Sequence, residues 1–138
     1  MRRLLRWLPL LLLMFVAAAS AGPAQRSLPV VQDTWAAAIR WNDFEGAMTL
    51  VDPALRPTQA PSSVETARYK QVQISSYRDR GASVDFKAGQ AVRDIEIGVI
   101  NRNTQAERTV RYREVWRWDP KAKTWWITSG LPDLWKVD

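Results

Sequence analysis

Between residues 29 and 68 the apolar positions recur at helical spacing, and from Tyr69 onward they alternate, so the chain reads as a helical half followed by a stranded half. In VVQDTWAAAIRW, Val31, Trp35, Ala38 and Ile39 share one face of an amphipathic helix, with Pro29 acceptable in its first turn. Asn42 and Glu45 have the spacing of a capping box, which predicts a second helix with Phe44, Met48 and Val51 on one face, ended by Asp52-Pro53. PALRPTQAP reads as a proline-punctuated loop. Ser62 with Glu65 repeats the capping spacing and predicts a short third helix to about Arg68. Strands are predicted at 70–78, 82–88, 91–101, 106–118 and 125–129, divided by Asp79-Arg80-Gly81, Lys87 to Gln90, Arg102 to Gln105 and Asp119 to Lys123. Helices followed by a meander imply an α+β fold, N-terminal helices packed on a curved antiparallel sheet of four to five strands.

The charges set the register of that meander. If Asn101 pairs with Ala106, Arg93 faces Glu114, Asp94 faces Arg113 and Glu96 faces Arg111, with Ile97 opposite Val110, Ile95 opposite Tyr112 and Ala91 opposite Trp116. A shift of one residue loses every opposite-charge pair. The row Arg111, Arg113, Arg117 then reads as a charge-paired, solvated sheet face rather than a phosphate-binding stripe, which needs unneutralised positive charge. In the last hairpin Trp118 faces Trp125, Trp116 faces Ile127 and Glu114 faces Ser129. That places Trp116, Trp118 and Trp125 toward the helices, and Trp126 on the outer face opposite Arg117, within reach of a cation–aromatic contact. Five of the eight tryptophans lie between Val115 and Trp135. Trp126 and Trp135 are the two that this register leaves for a binding surface, with a fold-back of the GLPDLW tail over a sheet edge as the structural alternative for Trp135.

The N-terminus changes the picture of where the chain works. Arg2, Arg3 and Arg6 precede the run WLPLLLLMFVAAA and the small residues SAGPA. This is the pattern of a secretory signal over residues 1–21, with Ala19-Ser20-Ala21 the preferred cleavage motif and Ala24 the alternative. Its run of thirteen apolar residues falls short of the roughly 20 that span a bilayer. Residues 22–28 read as a linker and 29–138 as one domain, periplasmic or secreted after cleavage; the alternative is an inner-membrane protein held by an uncleaved signal. Without residues 1–21 the balance is 17 Lys and Arg against 14 Asp and Glu, +3 rather than +6. With no cysteine, disulfides, thiol chemistry and an N-terminal lipidated cysteine are excluded. With no histidine, the commonest neutral-pH base and zinc ligand is missing. No metal or cofactor motif is present, and no nucleic-acid partner is expected.

AIRWNDFEGAMTLVDP, the short helix near RYKQV and the meander ending in EVWRWDPKAKTWWITSGLP resemble the nuclear transport factor 2-like, or cystatin-like, α+β roll of small exported bacterial proteins, over roughly residues 30–132. Larger members carry a hairpin for which residues 53–61 are too short and proline-rich, so the resemblance implies a small interior. Enzymatic members such as ketosteroid isomerase and scytalone dehydratase use Asp, Tyr and His in the cone between helices and sheet, and no histidine exists here.

Three functions compete on these residues. The first is a non-catalytic exported domain binding a partner protein or a small apolar ligand, with a homodimer through the sheet face as one form of partner. The second is an isomerase- or dehydratase-like enzyme with Glu114 as base and Tyr112 or Tyr77 as donor, Glu114 being the carboxylate on the aromatic face. Against it stands the pairing of Glu114 with Arg93. The third is cell-wall glycan binding through exposed Trp and Arg; the candidate binding residues are Trp126, Arg117, Trp135 and Arg93.

Overall fold

The computed structural model describes residues 22–136, in which a helical segment is followed by a four-stranded meander. The reading of residues 1–21 as a signal lies outside the described residues. α1 spans Pro23–Arg40, α2 Phe44–Met48, α3 Arg56–Gln59 and α4 Ser63–Tyr69; β1 spans Val72–Asp85, β2 Gln90–Asn101, β3 Glu107–Asp119 and β4 Thr124–Ile127. The sheet order is β1-β2-β3-β4, antiparallel throughout.

α1 begins at Pro23, so residues 23–28, read above as linker, are helical. Pro23 suits a first turn, where its missing N–H is not needed. The added turn also has a tertiary anchor: Leu28 is buried, and the Trp125 indole donates to Ala24 O at 2.9 Å. Pro29 sits inside the helix rather than in its first turn. Trp35 and Ile39 form the buried stripe as the spacing predicts, with Val31 and Ala38 packed partly against it.

The cap of α2 is Asp43, not Asn42. Asn42 has φ 57, a left-handed conformation that Asn tolerates and that turns the chain out of α1. Its amide donates to Val72 O at 2.6 Å and ties the turn to the start of β1, while the Asp43 carboxylate accepts from Gly46 N at 2.9 Å. Ser62 caps α4 as predicted, accepting from Glu65 N at 3.2 Å. The proline-punctuated loop carries one helical turn, α3, which sequence reading missed.

The register of both C-terminal hairpins is the predicted one, with Arg93 opposite Glu114, Asp94 opposite Arg113, Trp116 opposite Ile127 and Trp118 opposite Trp125. β1 is a single strand where two were predicted. Asp79-Arg80-Gly81 is a β-bulge, in which Gly81 N donates to Asp79 Oδ1, and the strand continues to Asp85. β4 ends at Ile127, short of the predicted Ser129, because the Ser129 hydroxyl accepts from Val115 N at 3.1 Å in place of a ladder bond. Residues 50–52 run beside the outer edge of β4, Ile127 N donating to Leu50 O and Asp52 N to Ile127 O, and so cover an edge that would otherwise be open. The core between α1 and the sheet is built from Trp35, Ile39, Ile95, Ile97, Trp116, Trp125 and Ile127.

Candidate functional site

The cone between helices and sheet, where the resemblance implies that chemistry would be done, is occupied by a closed polar network. Glu114, on the inner face of β3, is completely buried. Four donors converge on its carboxylate: Arg93 Nε at 2.8 Å and Arg93 Nη2 at 2.7 Å, Tyr77 OH at 2.5 Å and Trp116 Nε1 at 2.9 Å. Trp35 Nε1 donates to the Tyr77 hydroxyl at 2.9 Å, which links α1 to the network. A carboxylate offers about four lone-pair sites, and all are taken. The bidentate guanidinium, itself only 12% exposed, lies directly across the ladder on β2. The pairing of Arg93 with Glu114 is thus present, and with it Glu114 has no lone pair free to take a substrate proton.

Tyr112 stands apart from that network. Its hydroxyl donates to Gly130 O and lies 2.9 Å from the Ser129 hydroxyl, tying the segment after β4 to β3. The pair of Glu114 and Tyr112 weighed above as base and donor is not hydrogen-bonded together. Trp35 meets Trp116 edge to face at 6.1 Å and closes the space over Glu114.

All three tyrosines hold their protons more tightly than usual. Burial raises Tyr69 to about 12, with the charges of Glu65 and Asp133 adding to it. Burial, then Glu114, raises Tyr77 well beyond the ordinary range, and burial raises Tyr112 likewise. For Arg93, burial opposes the charge, but the hydrogen bonds and charge of Glu114 outweigh it and the net direction is upward. A folded-state tyrosine pKa above the unfolded value of about 10 contributes stability that is complete below pH 10 and is lost as pH rises through the folded value. We expect the tyrosinate absorbance to stay low past pH 10 and then rise cooperatively, together with loss of near-ultraviolet circular dichroism. Three independent titrations near pH 10 in a still-folded protein would contradict the burial of these hydroxyls.

The predicted surface residues are also engaged. Arg117 pairs with Asp52 at 2.9 Å and does not lie over Trp126. The cation over Trp126 is Arg56, 5.5 Å from the ring centroid, because α3 brings it there, and the Trp126 indole donates to Asp119 Oδ2 at 3.2 Å. Trp135 folds back, as the tail alternative held: it packs on Tyr69 at 5.1 Å with Arg68 4.3 Å above its ring, and Arg108 holds Leu134 O. Trp126 and Trp135 are both half-buried. On the outer sheet face Asp94 pairs with Arg113, while Glu96, though opposite Arg111, takes Arg80 as its partner at 3.1 Å.

Among the described residues the exposed tryptophan is Trp41, which sequence reading passed over. It follows the last turn of α1 with 83% of its surface open, whereas Trp35, Trp116 and Trp125 have none. Trp41 edges a hollow of about 560 Å3 with Arg40, Asn42, Gln73, Ser75 and Arg102. Through Asn42 and Arg102 this hollow adjoins a groove of about 650 Å3 between α2 and α4, walled by Phe44, Met48, Pro61 and Tyr69 with Lys70 at its rim. Beyond Pro61 and Tyr69 the groove meets a recess of about 170 Å3, and Gln59, in its wall, has a buried Oε1 with no hydrogen-bond partner. Neither Trp35, Glu114 nor Trp116 lines any of these spaces. Among the described residues no three His, Cys, Asp or Glu side chains come together as a metal site requires.

No protein-family model matches the chain, and no curated protein does. Solved structures do match. A SEC-C motif containing protein from Rhodopseudomonas palustris is 17% identical, with TM-score 0.60 and 82% of each chain covered. A SEC-C motif containing protein from Psychrobacter arcticus is 7% identical, with TM-score 0.58, over 80% of this chain and 63% of its own. An NTF2-like family protein from Streptomyces avermitilis, whose name proposes a dehydratase, is 14% identical with TM-score 0.51, over 78% of this chain and 96% of its own. Identities this low speak to architecture and not to activity. The helices on an antiparallel meander, the register and these matches together make the fold of this chain the nuclear transport factor 2-like α+β roll.

Proposed function

We propose that the chain is a non-catalytic exported domain that binds a small apolar ligand, or an apolar side chain of a partner protein, in the groove between α2 and α4. The observation that carries this reading is the contrast between a closed interior and an open groove. The interior carboxylate is saturated by four donors. The groove, by contrast, has an apolar wall of Phe44, Met48, Pro61 and Tyr69 and a volume within the range of small-molecule sites. An 83%-exposed tryptophan beside a groove is the kind of residue that becomes an anchor when a partner covers it. Charged groups of both signs line the groove, Lys70 and Arg102 with Asp43 and Glu45; Arg102 also donates to Val72 O and Asp43 is turned to its own helix cap at Gly46 N, so Lys70 is the cation on which an anionic group of the occupant would rest.

Anilinonaphthalenesulfonate, an apolar ring system with one negative charge, is the probe. Full-length protein is expected to bind it saturably, and Lys70→Glu, an exposed position, to weaken that component by about fivefold or more, since reversing one charge at close range is worth on the order of 1 to 2 kcal/mol. The apolar run of residues 7–19 is present in every variant and contributes an equal background. Probe binding unchanged in Lys70→Glu and in Met48→Glu would overturn the reading.

A further inference from the structure

The groove lies at one end of α1, and the other end has a different character. There the β1–β2 turn, the β3–β4 turn and the first turn of α1 converge. Phe86 meets Trp125 edge to face at 6.3 Å, Trp125 packs on Trp118 at 5.5 Å, and the Trp125 indole donates to Ala24 O. Trp118 N donates to Gly89 O, which binds the two turns together. The tip they form carries three exposed lysines, Lys87, Lys121 and Lys123, beside the 41%-exposed Phe86 and the 43%-exposed Val84.

Two carboxylates share the tip, Asp85 and Asp119, and both keep their charge, so the three lysines leave a small positive excess there. Asp85 Oδ1 accepts from Ala88 N, and the Asp119 carboxylate accepts from Lys121 N, Ala122 N and the Trp126 indole, so both are turned into their own loops. Asp119 is correspondingly held below the usual carboxylate range, chiefly by the Ala122 amide and the Trp126 indole. Lysines around an exposed aromatic ring make the combination that seats a protein on an anionic bilayer: charge attraction to headgroups, and a ring at the interface.

We infer that this tip is a membrane-facing surface, which docks on anionic lipid headgroups through Lys87, Lys121 and Lys123 with Phe86 at the interface. The 18 residues of α1 then act as a strut of about 27 Å that holds the Trp41 groove away from the bilayer. This inference is independent of what the groove binds.

The absence of cysteine makes the test direct, because one introduced thiol is the only labelling site. Full-length protein carrying Ala88→Cys or Asn103→Cys, one at each end of the sheet, is labelled with a polarity-sensitive fluorophore. It is then mixed with vesicles of phosphatidylcholine alone or with phosphatidylglycerol. With anionic vesicles the label at 88 should shift to the blue and lose intensity to lipid-borne quenchers, while the label at 103 should not. Lys87→Glu with Lys121→Glu and Lys123→Glu should abolish the shift at 88 with residues 1–21 intact. Salt near 1 M, where screening acts within about 3 Å, should do the same without any substitution. Equal responses at 88 and 103, or a response at 88 that ignores lipid charge, charge reversal and salt, would overturn the inference.

Discussion

Glu114→Gln is expected to destabilise the domain by about 3 to 5 kcal/mol, the cost of removing one partner from a buried ion pair. The amide keeps one acceptor and replaces the other oxygen with a donor. Whichever way it turns, its NH2 then faces either Arg93 Nη2 and the Tyr77 hydroxyl, or Arg93 Nε and the Trp116 indole. The guanidinium, 12% exposed, is left with its charge uncompensated. Because small domains are stable by only about 5 to 15 kcal/mol, a loss of this size is a large part of the whole. Arg93→Met alone strands the carboxylate, and the double variant removes both charges. Urea melts of the three should give a coupling energy of about 1 kcal/mol or more. A coupling near zero, with Glu114→Gln as stable as the parent, would mean that the carboxylate is poised for a substrate and would restore the enzyme reading.

Trp116→Ala is expected to cost about 3 to 5 kcal/mol as well, by a different route. Trp116 is fully buried, meets Trp35 edge to face and donates to Glu114, so truncation opens a cavity between α1 and the sheet and removes one of four donors. Trp41→Ala, at an 83%-exposed position, should change stability by less than about 0.5 kcal/mol. Urea melts with matched m-values decide between core and surface for each ring. Equal losses for the two would contradict the assignment of Trp116 to the core and Trp41 to the surface.

The strand register was legible because charge and alternation agree: only one pairing of the two long strands sets Arg93 against Glu114 and Asp94 against Arg113. The ion pair at the heart of the fold followed from that arithmetic. Other features depended on tertiary contacts that local text does not carry. The small residues after the apolar run read as linker, and only the bond from Trp125, a hundred residues away, explains why Ala24 is helical. Asn42 and Asp43 each have a partner position three residues on. The turn into β1 takes the Asn42 amide and leaves the cap to Asp43. Gly81 looked like the end of a strand because a bulge and a turn use the same residues. Arg56 displaced Arg117 at Trp126 because α3 was invisible in a proline-rich segment.

Trp41 was within reach of the sequence. It is two residues beyond the buried Ile39, about 200° around a helix of 3.6 residues per turn, and so falls on the face opposite the core. The density of tryptophans after Val115 reflects a small core filled with large rings. Trp126 and Trp135, the two singled out there for binding, are half-buried by Asp119, Arg56, Tyr69 and Arg68.

Ligands are proposed to meet this domain in the groove between α2 and α4, which adjoins the hollow edged by Trp41, and not in the cone around Glu114. Full-length protein grown with 5-fluorotryptophan carries eight fluorine reporters, one for each tryptophan including Trp7, and single Trp→Phe variants assign them. On titration with anilinonaphthalenesulfonate, the Trp41 resonance is expected to move saturably, and to do so less in Lys70→Glu, while those of Trp35 and Trp116 stay in place. Saturable shifts at Trp35 and Trp116 with Trp41 unmoved would contradict the account and place the binding site inside the cone.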